Sequence, residues 1–340
     1  MRDLVVAGGG PIGLATALYA ARAGLDVVVR EPRRGVIDKA CGEGLMPAAV
    51  ADLTELGVDL AGRPIDGIRY IDGSHEVEAW FRSGAGRGVR RTALLRSLQA
   101  TVALAGIPTD HSPVRCVEEA DDHVLVDGEP VRHLVAADGL HSPIRRMLGL
   151  DAPPGRERRY GQRAHVAVRP WSAFVEVHWS EVGEVYVTPV ADGLVGVAVL
   201  TGRRATFPEL LSAFPTLTPR IAGNPVTRVR GAGPLRQRST RRVRGRVLLV
   251  GDAAGYVDAL TGEGIAIGIA QARAAVDAIV AGDPGGYERA WRRVTRRHDL
   301  LTRGLLTVTR HDALRSRIVP AAAKLPRVFD SVVNQLARPA

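Results

Sequence analysis

An α/β fold is predicted for this chain of 340 residues: a first domain built on a parallel sheet, an inserted and mostly antiparallel β-sheet domain, and helices at the C-terminus. Three observations predict it. Residues 4–31 read strand, glycine turn, helix, strand. Residues 160–200 alternate with period two, and the chain beyond Pro284 carries helical patterns to its end.

The first observation is the most informative. The apolar run Leu4–Ala7 breaks into Gly8-Gly9-Gly10-Pro11-Ile12-Gly13. An Ala/Leu-rich helix follows to Ala23, Gly24 stops it, and Val27-Val28-Val29 leads to Glu31. This is a Rossmann-type GxGxxG frame: Gly8 permits the tight turn, Gly10 lets backbone approach a pyrophosphate, and Gly13 lets helix pack on strand. Pro11 and Ile12 begin the helix, whose free N–H groups and positive dipole end face the phosphates. Glu31, at the end of the second strand, is placed to hold a ribose diol. The unit predicts an adenine dinucleotide site.

Turn and period signals set out the remaining elements. Asp38–Pro47 is loop-like, with glycines flanking Glu43 so that backbone passes close to a flat ligand, and it feeds a helix over 48–56. Gly67–Tyr70 and Glu76–Phe81 form a hairpin about Asp72-Gly73. Arg91 opens a helix with the apolar face Leu94, Leu95, Leu98 and Val102. Strand-like runs at 114–117, 123–126 and 131–136 lead into Asp138–Arg145, and Pro153-Pro154-Gly155 marks a boundary. Strands at 164–168, 174–179, 184–188 and 194–200 make the inserted sheet, and a short helix follows over 207–214. The buried strand Val247–Val250 meets Gly251-Asp252-Ala253-Ala254-Gly255. After Thr261-Gly262-Glu263-Gly264 a helix runs from Ile265 to about Ala281.

Composition excludes several classes. An apolar content of 46% with 24% charge is ordinary for a globular protein. Cys41 and Cys116 lack paired spacing, which argues against a disulfide framework and a metal site and for a reducing compartment. The uncharged run Leu4–Ala21 approaches the length of a membrane span, but its three consecutive glycines and proline mark it as buried βα; a cytoplasmic location is expected. The net charge of +10 comes from arginine, Lys39 and Lys324 being the only lysines. The arginines are dense at 156–163 and 236–246, but aromatics are only 4% of the chain and absent from the second patch, unlike a nucleic-acid surface with interleaved aromatics, so no nucleic-acid partner is expected. A solvated face, a phosphate-bearing cosubstrate or peripheral contact with an anionic membrane accounts for them.

Together, four motifs resemble those of the single-Rossmann FAD-dependent oxidoreductases, the superfamily of class A flavin monooxygenases and geranylgeranyl reductases. They are the GxGxxG turn with Glu31, the R-x-x-L helix start at Arg91, D-G-x-x-S-x-x-R from Asp138 to Arg145, and G-D-A-A from Gly251. The resemblance implies a discontinuous FAD-binding domain over 1–63, 84–152 and 231–282. It also implies a substrate-binding β-sheet domain over 64–83 and 153–230 and a C-terminal helical segment over 283–340. It implies that Gly8, Gly10, Gly13 and Glu31 hold the ADP half of FAD, and that Arg91 reaches its ribityl or phosphate region. By the same resemblance Asp252 accepts from the ribityl chain, and Asp138 and Arg145 serve both FAD and a nicotinamide cosubstrate. The helix start at Gly262, Gly264 and Ile265 offers N–H donors and a positive dipole end to the negative charge of reduced flavin.

The leading activity implied is an NAD(P)H-dependent monooxygenase that uses O2, through a flavin C4a-hydroperoxide, to hydroxylate a small aromatic or polyketide-like substrate. Saturation of isoprenoid double bonds, as by the geranylgeranyl reductases, stands beside it, and a flavin-fold binding module is the third class. Gly255 and Ala259 stand where hydroxylases commonly carry His and Pro, and G-D-A-A-G, T-G-E-G-I and Lys39-x-Cys41-Gly42 resemble the reductases. Gly44-Leu45-Met46-Pro47 instead resembles the hydroxylase helix start, and the absence of W-x-W-x-I-P disfavours halogenases. For substrate chemistry, alternation puts Tyr186 with Glu184 and Thr188 on one sheet face, and His178 with Glu176 on one face of its own strand. Glu43 and Cys41 complete the catalytic candidates, the latter set near the flavin by the resemblance.

Overall fold

The structure, a computed structural model, describes residues 1–153, 158–256, 262–309 and 315–337. Its first layer is a parallel sheet with strands in the spatial order Val247–Leu249, Glu129–Ala136, Arg2–Ala7, Val27–Arg30 and Thr109–Asp110. Leu4, Val6, Val29, Leu134, Val135 and Leu248 are wholly buried within it. Burial on both faces is why these strands read as continuous apolar runs rather than alternating ones. Val243–Arg244 closes one edge antiparallel, and Val117–Glu119 with Val124–Val126 makes a meander beside Glu129–Ala136. Helices Pro11–Arg22, Arg91–Leu104 and Gly264–Val280 cover the sheet.

Some elements differ from the sequence expectation. Thr109–Asp110 is a strand where none is expected: two exposed residues carry no pattern, and only pairing with Val29 and Arg30 defines them. The run expected at 114–117 begins at Val117, and the helix expected over 207–214 stops at Leu211 and resumes as Thr218–Ile221. Gly44–Leu45, Gly86–Gly88 and Arg63–Ile65 form a small sheet that glycine-rich segments do not announce. Gly88 is required there, since a Cβ would lie 1.9 Å from the Pro189 carbonyl oxygen.

The second layer has seven strands in the order Arg230–Ala232, Tyr160–Val166, Leu194–Thr201, Gly183–Ala191, Phe174–Ser180, Gly67–Ile71 and Glu76–Trp80. Every pair is antiparallel except Phe174–Ser180 with Gly67–Ile71, which joins the early hairpin to the later strands. The sheet takes in Ala232, so it runs past the boundary expected at residue 230. Phe207, Phe214 and Leu217 pack on one face. On the other, helices Ile318–Lys324 and Pro326–Leu336 bring Val319 and Phe329 against Tyr70, Trp179 and Tyr186, with the Tyr70 and Phe329 ring centroids 4.8 Å apart. Helix Tyr287–Thr309 links that cap to the first layer. Among the described residues no helix is long and apolar enough to cross a membrane.

Candidate functional site

A single cavity of about 810 Å³ runs from the N-terminal glycine turn, between the two sheets, to the C-terminal helices. At its first end Gly8 adopts φ +117°, and a Cβ there would lie 2.4 Å from the Ala137 carbonyl oxygen. A Cβ on Gly13 would come within 1.8 Å of the Gly8 carbonyl oxygen. A Cβ on Gly10 would meet nothing within 4 Å. Gly8 and Gly13 therefore serve the fold, while Gly10 keeps space open in front of the helix. Among the described residues no side chain caps that helix, so its first N–H groups stay available, and Gly10, Pro11 and Ile12 line the cavity.

Glu31 is buried just outside this space. Its carboxylate accepts from the Gly9 N–H at 2.9 Å and, through both oxygens, from Arg33 Nε at 2.8 Å and Nη2 at 2.9 Å. Burial works against ionisation, but the Arg33 and Gly9 hydrogen bonds outweigh it and hold the carboxyl below its ordinary value. A ribose diol reaching Glu31 must displace the half-exposed Arg33 side chain.

Farther in, Lys39, Arg91, Asp138 and Asp252 converge on the cavity. Among the described residues, buried Arg91 Nε and Asp138 Oδ1 lack a hydrogen-bond partner, an unsatisfied donor and an unsatisfied acceptor facing one space. Burial pushes the Asp252 carboxyl up, against the pull of Arg91 and Lys39. It pushes the Asp138 carboxyl up too, and pushes the Lys39 ammonium down. Opposite them the Gly264–Val280 helix begins without a side-chain cap, with Gly262, Gly264 and Ile265 on the cavity wall. Thr261 and Ala259 lie outside the described residues. The helix start is tied down by Glu263, whose Oε2 lies 2.7 Å from His298 Nδ1.

Arg145 is placed differently from expectation. It is not on the cavity wall: its guanidinium donates to the carbonyls of Leu140 at 3.2 Å, Asp252 at 3.3 Å and Ala253 at 3.0 Å and pairs with Asp151. It staples the Asp138 loop to the Asp252 turn and so positions those two carboxylates.

The four catalytic candidates divide. Cys41, Glu43 and Tyr186 line the cavity, with Thr188 beside them. His178 does not, and is corrected as a candidate: Val175 and Val177 of its strand face the cavity, so period-two alternation turns Glu176 and His178 to the far side. There His178 lies 3.2 Å from Glu176 and 3.3 Å from Thr216, and Glu176 accepts from Trp171. Glu184 is paired with Arg159. Cys41 Sγ accepts from the Glu43 N–H at 3.4 Å, and desolvation pushes its thiol up.

Sequence reasoning missed a buried polar network behind Glu43. Glu43, 3% exposed and at φ +62°, accepts the Arg91 N–H at 2.8 Å and lies 2.7 Å from His165 Nε2. Arg163, 2% exposed, lies 3.2 Å from His165 Nδ1, pairs with Asp38 and donates to the Lys39 carbonyl at 3.0 Å. The cavity loop is thus bolted to the inserted sheet. An Arg-x-His in a strand gives no local sign of this.

Beyond Tyr186 the cavity turns apolar, walled by Ile68, Val177, Leu305, Ile318, Phe329 and Val333. A glycine cradle with a bare helix N-terminus, an unpartnered guanidinium and two carboxylates suit a long, hydroxyl-rich dinucleotide diphosphate, and FAD is such a molecule. The fold and site define an FAD-dependent oxidoreductase. It belongs to the single-Rossmann flavoprotein family of the menaquinone and geranylgeranyl reductases. The chain is 31% identical over 336 residues to a menaquinone reductase of Mycolicibacterium smegmatis, covering 87% of this chain and 80% of that protein. It is 27% identical over 329 residues to digeranylgeranylglycerophospholipid reductase 1 of Methanothermobacter thermautotrophicus, covering 85% and 82%. No family model matches. A solved flavoprotein/dehydrogenase from Cytophaga hutchinsonii shares the fold, with a TM-score of 0.83 at 18% identity over 98% of this chain and 92% of that one.

Proposed function

We propose that the protein is an NAD(P)H-dependent reductase that saturates a carbon–carbon double bond in a polyprenyl chain. The carrying observation is the continuity of one cavity from the Gly10 cradle past Cys41 to an apolar end walled by the C-terminal helices. Relatives acting on isoprenoid quinones and lipids, by their names, support it. FAD supplies the hydride equivalent when bound and reduced. Gly10, Arg91 and Asp252 hold it, and the N-terminus of the Gly264–Val280 helix offsets negative charge on it. The apolar wall aligns the chain and excludes water, and Cys41, its thiol kept protonated by desolvation, gives the proton that completes saturation.

Hydroxylation of an aromatic substrate is the second reading, favoured by the phenol of Tyr186 on the cavity wall. One experiment separates them. Under strict anaerobiosis, NADPH with a polyprenyl quinone is expected to yield a product whose prenyl chain is two hydrogens heavier, a gain that persists after the quinone head group is re-oxidised. A product gaining oxygen, formed only with O2, reverses the assignment.

A further inference from the structure

The apolar end of the cavity opens at the turn between the last two helices. Lys324, Leu325, Pro326, Arg327 and Val328 are five consecutive exposed residues, and Leu325 and Val328, 58% and 56% exposed, also line the cavity. Leu300, 73% exposed, precedes the cavity-lining Leu301 on helix Tyr287–Thr309. Around them the charge is one-sided: residues 283–340 carry twelve Arg and Lys against five Asp and Glu. Exposed Arg293 and Arg296, near Leu300 on the same helix, make no ion pair among the described residues; nor do Lys324 and Arg327. Large apolar side chains presented singly among unpaired cations suit the boundary of an anionic bilayer, where aliphatic groups enter the acyl region and cations meet phosphate.

We propose that the Lys324–Val328 turn and Leu300 form a docking edge for an anionic lipid bilayer, seating the cavity mouth on the membrane so that an apolar substrate passes into it without crossing water. The docking stands on the edge itself; only its role in delivering a polyprenyl chain rests on the reductase reading.

The full chain is sedimented with phosphatidylcholine vesicles, with and without phosphatidylglycerol. Binding is expected only with phosphatidylglycerol and should weaken with salt. Lys324→Gln with Arg327→Gln should lower partitioning at least about tenfold, and Leu325→Asp with Val328→Asp should abolish it. Absence of binding to either vesicle, or binding that neither double variant weakens, overturns the proposal. So does a dimer in velocity sedimentation that Leu325→Asp with Val328→Asp dissociates, since the edge then belongs to a second copy. The vesicle readout requires no turnover, whereas the reductase reading fails separately if the prenyl chain of a detergent-solubilised polyprenyl quinone gains no hydrogen.

Discussion

Glu43 Oε2 lies 2.7 Å from His165 Nε2, joining two residues 122 positions apart in the chain and both buried. The other carboxylate oxygen accepts the Arg91 N–H at 2.8 Å. One side chain thereby holds together the cavity loop, the start of the Arg91–Leu104 helix and the inserted sheet. A non-glycine residue at φ +62° is costly, about 1–2 kcal/mol, and it persists because these contacts over-determine it. Removing the charge leaves His165 and Arg163 facing a neutral amide. Glu43→Gln should therefore destabilise the protein by about 3 kcal/mol, read from urea unfolding. Glu43→Gly should relieve the backbone yet lose the same contacts, so a stability above wild type would show that the network is not what holds the loop.

The glycine turn predicts a contrast between two neighbours. Gly13→Ala drives a Cβ to 1.8 Å from the Gly8 carbonyl oxygen, so about 3 kcal/mol or more of stability should be lost with or without FAD. Gly10→Ala meets no atom of the described residues within 4 Å, and the stability of the apoprotein should stay within about 0.5 kcal/mol of wild type. Its FAD affinity should nevertheless fall at least about tenfold, because the methyl occupies the approach to the pyrophosphate. Fluorescence titration of FAD into the two apoproteins checks both.

That contrast shows where the sequence was legible. Gly8, Gly10, Gly13 and Pro11 act within one turn, so their spacing alone announced the cradle. Arg91, Asp138 and Asp252 were legible as motifs and do meet on one cavity. Arg145 belongs to the same motif but spends its donors on protein carbonyls, a difference that only tertiary packing decides. The strand carrying His178 showed its alternation plainly. Which face looks into the cavity depends on the parallel pairing of Val177 with Tyr70, far back in the chain. His165 and Arg163 were silent for the same reason, since their partners Glu43 and Asp38 come from another lobe.

Asp252 sets binding against stability. Its carboxyl is held above its ordinary value by desolvation, so the folded apoprotein binds a proton there more tightly than the unfolded chain does. The stabilising contribution is full below the unfolded carboxyl value and is lost as pH rises through the folded one. At neutral pH, above the unfolded carboxyl value, the desolvated Asp252 carboxyl is a cost to the apoprotein, and Asp252→Asn should raise its melting temperature. FAD affinity should fall about tenfold or more, because a charge-assisted acceptor is lost. An apoprotein melting temperature below wild type at neutral pH would contradict the assignment.

Cys41 and His178 separate the cavity face from the far face. Desolvation raises the Cys41 thiol above its ordinary value, so the group stays protonated through neutral pH and releases its proton only in alkali. If it donates the proton, single-turnover reduction of the polyprenyl substrate should be flat at neutral pH and fall as pH rises through the raised thiol value. Cys41→Ser should lower that rate about a hundredfold and remove the alkaline limb, while leaving FAD content unchanged. His178→Ala removes the contacts to Glu176 and Thr216 on the opposite side of the sheet and should cost about 1–3 kcal/mol of stability. Its rate and pH profile should match wild type. A His178 variant that alters the profile would place a titrating group across the sheet from the cavity, and an unshifted alkaline limb in Cys41→Ser would move the proton to Tyr186.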